Sequence, residues 1–499
     1  MKLYKSNTGE YNFVMAYPAV EEFALSSLGY LWLYRIADTK AGINAIRLST
    51  DNINANKNDI NSMAFSMSFD FDYLGVLEIL EKLNIPFYSK DRDDNLPLIF
   101  AGGPVLTTNP KPYEAFFDFI IIGDGEELFD KVLDILMLKL SKKDTLSKLS
   151  EIEGVYLPNK KTIKATVSLN NVIYTPILSD KSYFKNTFII EVARGCMNRC
   201  AFCTASYTNL PFRHYEYEKI IEAIEFGLKY TNKIALLGAQ ISAHPRFNDI
   251  LSYIKNKIDN GVNIELGISS LRTDSVTPDM IKTLVAGGQK HSTIAIEAAS
   301  ERLRKFINKN LSTEQILNAV HIARENGLKG LKIYSMIGIP TEKEDDIQEF
   351  INLAKKIKNE KKGFNIEFSF STFVPKPQTP LQWSNREDTK SLEKKQKFLE
   401  KELIKLGIQS KFSSAKWDYW QTILSRGDER ISPLMVEVYK NGGKLGAYKS
   451  ALKKLNIDIS KFINGFDYDK ELPWDDIESY PTRQQLINEN KRLSKHAQP

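Results

Sequence analysis

The sequence predicts an α/β protein: a doubly wound domain, then an open parallel barrel, then a helical extension. Three observations carry this. Strand and helix signals alternate through residues 1–150 in the doubly wound manner. From 186 to 385 six strand–helix units follow one another, which predicts a partial (β/α)6 barrel with its active site at the carboxyl ends of the strands. From 386 to 499 the chain reads as helical and charged, and 151–185 reads as a connector.

In the first domain, Asn12–Ala16 is a short apolar strand and Glu21–Ala37 a helix. Met63–Met67 is strand-like, Tyr73–Leu83 helical, and Leu98–Phe100 a strand ending in Ala101-Gly102-Gly103-Pro104. Phe117–Ile122 is a buried strand, followed by Gly123-Asp124-Gly125-Glu126-Glu127 and a helix through Leu138. Glycine turns after parallel strands are where such sheets bind ligands; a tight strand-to-helix turn needs glycine for backbone reasons alone. In the connector, Gly154–Pro158 reads as a strand entering the next domain.

The barrel strands are Phe188–Ala193, Lys233–Leu237, Asn263–Ser269, Ser292–Glu297, Gly330–Ile337 and Asn365–Phe373. Helices between them include Glu216–Tyr230, Ser312–Asn326 and Lys343–Lys358. In the tail, Trp417, Tyr419 and Trp420 read as packing against the barrel, and residues 485–499 as a frayed polar end.

Composition bounds the function. The 499 residues leave room for this many units, and 42% hydrophobic with 26% charged residues is ordinary for a globular chain. A net charge of +6 is small at this length and does not indicate nucleic acid. No segment has the apolar length of a membrane span or a signal peptide, so a cytoplasmic location is expected.

The only three cysteines, Cys196, Cys200 and Cys203, lie in Arg194-Gly195-Cys196-Met197-Asn198-Arg199-Cys200-Ala201-Phe202-Cys203, directly after the first barrel strand. Three thiolates can hold three irons of a [4Fe–4S] cube and leave the fourth iron open, whereas an electron-transfer cluster normally has four cysteines. Buried filler cysteines would not all gather within eight residues. A zinc site would need a fourth ligand, for which His214 is available, but structural zinc sites usually show two tight ligand pairs.

This Cys-x3-Cys-x2-Cys run resembles the cluster motif of the radical S-adenosylmethionine (SAM) superfamily. The resemblance implies that the amino and carboxylate groups of SAM bind the open iron and that one electron splits the sulfonium to a 5′-deoxyadenosyl radical. It also implies a SAM site at the strand ends. Gly238, Ala239 and Gln240 occupy the position of a Gly-Gly-Glu-type turn that holds the SAM amino group, with Ala-Gln here in place of Gly-Glu. Arg272 would pair with the carboxylate, Glu297 with the ribose hydroxyls, and Gly338, Ile339 and Phe202 with the adenine. For Glu297 a plain ion pair with Arg302 or Arg304 stays open as an alternative.

A closer resemblance is to a poorly characterised family of radical SAM proteins with a cobalamin (B12)-binding-type first domain. It rests on Ala101–Pro104, Asn109–Pro112 and Gly123–Glu127 at the front, Glu191–Cys196 and Ser269–Arg272 in the barrel, and Phe373–Trp383, Arg426–Arg430 and Leu472–Ile477 behind. It implies cobalamin as a further cofactor, at turns carrying Gly102, Gly103, Gly123 and Gly125. The Asp-x-His-x-x-Gly loop of cobalamin domains that ligate cobalt with histidine is absent, since no histidine precedes His214. A first domain that binds substrate or nothing therefore stays open. The expected function is radical SAM chemistry, with cobalamin-dependent methyl transfer to an unactivated carbon as its leading form. Cobalamin-independent rearrangement, coupling or hydrogen abstraction is the alternative, and a non-catalytic cluster-bearing scaffold a third. A methylthiotransferase would need three further cysteines in the first domain, which has none. The expected partners are an unidentified substrate and an electron donor such as flavodoxin or ferredoxin.

Overall fold

The computed structural model describes residues 1–268, 270–359 and 363–495. Its first sheet has six strands in the order Ile43–Ser49, Tyr11–Tyr17, Ser62–Ser66, Leu98–Gly102, Phe119–Ile121 and Val155–Tyr156. The first five are parallel and the last is antiparallel. Period-2 alternation sends Phe13 and Met15 to one face, under helices Leu28–Thr39 and Glu126–Leu136. Val14 and Ala16 go to the other, under helix Tyr73–Lys82.

The sequence reading needs several corrections here. The helix expected over Glu21–Ala37 is two helices, Glu21–Ala24 and Leu28–Thr39. At the break Ser26 Oγ donates to Glu22 O (2.7 Å), the local side-chain bonding that competes with a continuous helix. Strand Ile43–Ser49 and helix Lys142–Leu149 were not anticipated. The strand expected to enter the second domain, Gly154–Pro158, instead closes the first sheet: Val155 and Tyr156 pair with Ile121 and Ile120.

Downstream, strands Phe188–Glu191, Lys233–Leu237 and Glu265–Ile268 form one parallel set. His291–Glu297, Gly330–Ile337, Asn365–Thr372 and Gln409–Phe412 form another. An isolated parallel bridge, Leu271 to Ile294, links the two sets, and one apolar core runs through both. Ser269, the expected end of the third strand, lies outside the described residues. The six expected strands are present, and Gln409–Phe412 is a seventh from the region expected to be purely helical.

The tail also departs from expectation. Helices Ala415–Arg426, Ile431–Lys440 and Leu445–Leu455 cover the second face of the first sheet rather than decorating the barrel. Trp417 stands edge-on to Phe71 (5.2 Å), Trp420 packs on Tyr448 (4.7 Å), and the Tyr448 hydroxyl bonds that of Tyr73 (2.6 Å). Residues 483–494 form a helix that buries Leu486, Ile487 and Leu493; of the end expected to fray, 496–499 lie outside the described residues. Among the described residues no helix is long and apolar enough to cross a membrane.

Candidate active site

The cysteine loop leaves the first barrel strand through a short pairing of Ala193–Arg194 with Arg213–His214. Gly195 turns it at φ +83°, where a Cβ would stand 2.4 Å from Asn209 O, so glycine is required. Cys196, Cys200 and Cys203 then line one cavity of about 150 Å³, together with Phe202, Ala239, Gln240, Arg272 and Glu297. Seven of the expected SAM and cluster positions thus share a cavity with Cys203, although they come from four strand ends. His214 is not in its lining; its ring packs against His244 at 4.8 Å.

The thiols do not close on a common point. Among the described residues no group of three or more His, Cys, Asp or Glu stands in metal-binding geometry. Their chemistry fits an iron–sulfur cluster all the same: three thiols around a cavity with no fourth cysteine in the chain. Burial pushes the Cys200 thiol up to about 12 and raises Cys203 as well, so a metal must displace their protons on binding. Cys196 Sγ donates to Gln240 Oε1 (3.3 Å), joining the first cysteine to the turn after the second strand.

Glu297 ends its strand at a register shift and holds φ +65°, a conformation a non-glycine residue keeps only where its surroundings impose it. Its carboxylate pairs with Lys309 Nζ (3.2 Å), not with the arginines considered as alternatives. Arg302 bonds Asp346, and Arg304 is turned to the carbonyls of Ala298, Ala299 and Leu311. Lys309 also lines the cavity and was missed by sequence reasoning. Burial works against its ammonium, but Glu297 and Cys200 outweigh burial and raise its pKa. The available signal was Asn308-Lys309-Asn310, in which both asparagines adopt positive φ and form a tight turn after a helix. Arg272 is held by Asp274 (2.7 Å) at the cavity wall.

Three expected positions do not line this cavity. Gly238 lies behind it, where a Cβ would meet Ala193 O at 2.7 Å. Ile339 is buried in an apolar cluster with Ala201, Phe306 and Leu381, against which Phe202 packs. Gly338 turns at φ +76° and donates its N–H to Glu342 (2.9 Å), which Lys395 holds in place.

A second cavity, about 360 Å³, lies at the carboxyl ends of the first sheet and is closed by the barrel residues Glu191, Arg194, Thr208 and Asn209. All four expected turn glycines, Gly102, Gly103, Gly123 and Gly125, line it. Arg194, two residues before Cys196, ties its wall together. It reaches Asp124 (3.0 Å), Glu126 (2.6 Å) and Glu191 (2.8 Å), and Arg213 takes the other oxygen of Asp124 (2.6 Å). Burial pushes the Asp124 carboxyl up, but the two guanidinium groups outweigh it and hold it below the usual carboxylate range.

Comparison with known proteins places this geometry. The family described as radical SAM proteins, N-terminal, matches residues 37–158, and the radical SAM superfamily matches 190–354. An uncharacterized protein of Methanocaldococcus jannaschii is 33% identical over 82% of this chain and 86% of its own length. An uncharacterized methyltransferase of Pyrococcus horikoshii is 26% identical over 63% of this chain and 69% of its own. The ribosomal protein uS12 methylthiotransferase RimO of Clostridioides difficile is 26% identical over 56% and 61%. In fold, the chain is similar to the cobalamin-dependent SAM radical enzyme OxsB solved with aqua-cobalamin and SAM bound, with TM-score 0.56, 14% identity, and 97% of this chain and 79% of that chain covered. With three cysteines on the loop after the first barrel strand and a near full-length match to the archaeal relative, this chain belongs to the radical SAM superfamily, whose enzymes use a [4Fe–4S] cluster and SAM.

Proposed function

We propose that the chain is a radical SAM methyltransferase acting on an unactivated carbon, with cluster and SAM in the cysteine cavity and a corrinoid in the glycine-lined cavity. The observation that carries the reading is the adjacency of the two cavities through Arg194, which lines the second and stands two residues from the first cysteine. The seven parallel strands are read as one open barrel (186–385 plus the added strand), with 1–150 as the corrinoid domain.

Cys196, Cys200 and Cys203 would hold three irons, leaving the fourth for the amino and carboxylate groups of SAM. Arg272 and Lys309 bring two cations to the SAM carboxylate, Glu297 an acceptor to the ribose, and Phe202 an apolar face to the adenine. A cluster held by these cysteines would supply one-electron chemistry for the reductive cleavage of SAM. A corrinoid would supply the methyl group, and the glycine turns would hold it in a cavity that no histidine lines.

The fit of a corrinoid is partial. A volume of 360 Å³ is at the small end of ligand sites and the cysteine cavity's 150 Å³ is below it, so a corrinoid, like SAM with the cluster, would need part of its bulk outside its cavity. The same volume favours a second reading, a cobalamin-independent enzyme whose first domain receives a smaller substrate. A methylthiotransferase remains disfavoured despite the relatives, because a second cluster has no cysteines to hold it. Titration of the reconstituted protein with methylcobalamin, followed by absorption and electron paramagnetic resonance, separates the readings. The methyltransferase requires saturable binding without hyperfine coupling from a protein imidazole; absence of binding leaves the second reading.

A further inference from the structure

Reduction of the cluster requires an electron from outside the chain, and one surface over the cysteine loop has the makings of its entry point. The C-terminal helix Arg483–Ser494 is clamped to the outside of that loop. Leu493 is buried with Ala201 and Ile307, and Ala201 N donates to Ile307 O (2.9 Å). Asn308 Nδ2 donates to Arg199 O (2.9 Å), and Arg492 reaches Asn308 Oδ1 (3.4 Å). Beneath this contact the buried Tyr207 donates to Arg199 O (2.9 Å). Its phenol lies within electrostatic reach of Glu489, Arg199 and the Cys200 and Cys203 thiols.

The surface is basic around an apolar centre. Arg199, Lys305, Arg492 and Lys495 are exposed on it, and Met197, 58% exposed, projects from the cysteine loop itself. Two carboxylates face these cations, Glu489, drawn onto Arg492 (2.7 Å) and near Arg199, and Glu301, near Lys305, so the four cations outnumber the anions two to one. Basic residues at a helix C-terminus favour the helix dipole, which accounts for Arg492 and Lys495. It accounts likewise for Lys305, in the last turn of helix Glu301–Phe306, but not for Arg199, which lies on the cysteine loop. Exposed cations rimming an exposed methionine suit a partner with an acidic rim, because complementary fields steer association and fix orientation.

We infer that this face, made by the cysteine loop, the Lys305 turn and the C-terminal helix, docks a small acidic one-electron carrier protein that reduces the cluster. The inference rests on the radical SAM reading. In the step the carrier loses one electron and the cluster gains one, with no atom transferred.

The test uses the full chain with its cluster reconstituted and a flavodoxin hydroquinone as the acidic carrier. Stopped-flow reduction of the cluster should slow at least ~10-fold in K305E/K495E at low ionic strength, the lower end of steering effects. In the unaltered protein the rate should fall steeply between ~20 and ~300 mM salt as screening shortens the field. R492Q, which keeps a hydrogen-bonding group toward Asn308, should show a smaller slowing. Reduction by dithionite, and the 5′-deoxyadenosine it drives, should be the same in all variants. An unaltered flavodoxin rate in K305E/K495E, or a wild-type rate indifferent to salt, overturns the docking face. Failure of dithionite to yield 5′-deoxyadenosine from the unaltered protein overturns both the face and the reading beneath it.

Discussion

Arg194 lines the glycine cavity and precedes the first cysteine of the other cavity by two residues, and the residues of the two cavities are held for different reasons. At the glycine cavity the unusual backbone is demanded by neighbouring chain. A Cβ on Gly103 would lie 2.2 Å from Met67 O, and one on Gly123 would lie 2.2 Å from Ala165 O. Glycine there is needed to assemble the sheet and its connector, whether or not a ligand binds. At the cysteine cavity no packing requirement accounts for three thiols, and Glu297 carries left-handed strain where no glycine relieves it. A pattern that packing explains identifies a fold; one that packing leaves unexplained identifies chemistry.

The sharpest way to break this contrast is at the thiols. Alanine at Cys196, Cys200 or Cys203 should abolish the brown chromophore and all SAM cleavage, whereas the parent protein should carry about four irons and four sulfides. Iron analysis and 5′-deoxyadenosine assays under anaerobic conditions check this. Stoichiometric zinc without iron in protein purified without oxygen would end the assignment.

Arg194 is the joint between the two sides. Arg194→Met removes one partner from a largely buried network and leaves Glu126 and Glu191 without their guanidinium, which should cost about 3–5 kcal/mol. Denaturant titration reads this directly, and a loss below ~1 kcal/mol would assign the network no more weight than surface ion pairs. The pH dependence has a definite sign. The folded Asp124 carboxyl is depressed, so its contribution is present above the unfolded value of about 3.9 and is lost as pH falls through the lower folded value. The variant should lose part of that acid sensitivity.

Two alanine substitutions at the glycine cavity compare backbone demand with ligand demand. Gly103→Ala should destabilise by about 3 kcal/mol, combining strain at φ +123° with overlap on Met67 O. Gly125→Ala, with only Leu33 methyl groups at 3.6 Å, should leave the melting temperature nearly unchanged. If Gly125→Ala weakens cobalamin binding while stability holds, that turn serves a ligand as well as the fold.

The effect expected at Glu297 is on binding rather than on stability. Glu297→Gln keeps the side-chain shape but removes the charge that faces Lys309, and should weaken SAM binding by ~1.5–3 kcal/mol, the range for a hydrogen bond to a charged group. Iron content should stay at the parent level. Unaltered SAM affinity, measured by calorimetry on the anaerobic protein, would assign Glu297 to a structural pair with Lys309.

Much of the fold is written in local patterns. Lys233–Leu237 and Gly330–Ile337 have the expected bounds, because apolar residues at alternate positions (Ile234 and Leu236, Leu331 and Ile333) mark a strand locally. The elements misread are those whose state depends on distant partners. Gln409–Phe412 has little strand character of its own and becomes one by pairing with Glu367–Phe370. Val155–Tyr156 is a strand in either sheet by sequence, and only its pairing with Ile120 and Ile121 assigns it to the first. Trp417 and Trp420 are apolar and destined for burial, but helix periodicity does not say that the surface they cover is the first domain.

The candidate site divides in the same way. Three cysteines within eight residues carry their chemistry in their spacing, so the class of reaction is legible before any folding is considered. Lys309 carries no such mark. Its role follows from a turn that brings it to the end of the strand holding Glu297, and the choice of Lys309 over Arg302 and Arg304 is a matter of three-dimensional reach. The link from Asp124 through Arg194 to the cysteine loop spans 70 residues of chain. Sequence spacing encodes covalent proximity; ion pairs between segments distant in the chain depend on how their surfaces meet, and that is decided by packing.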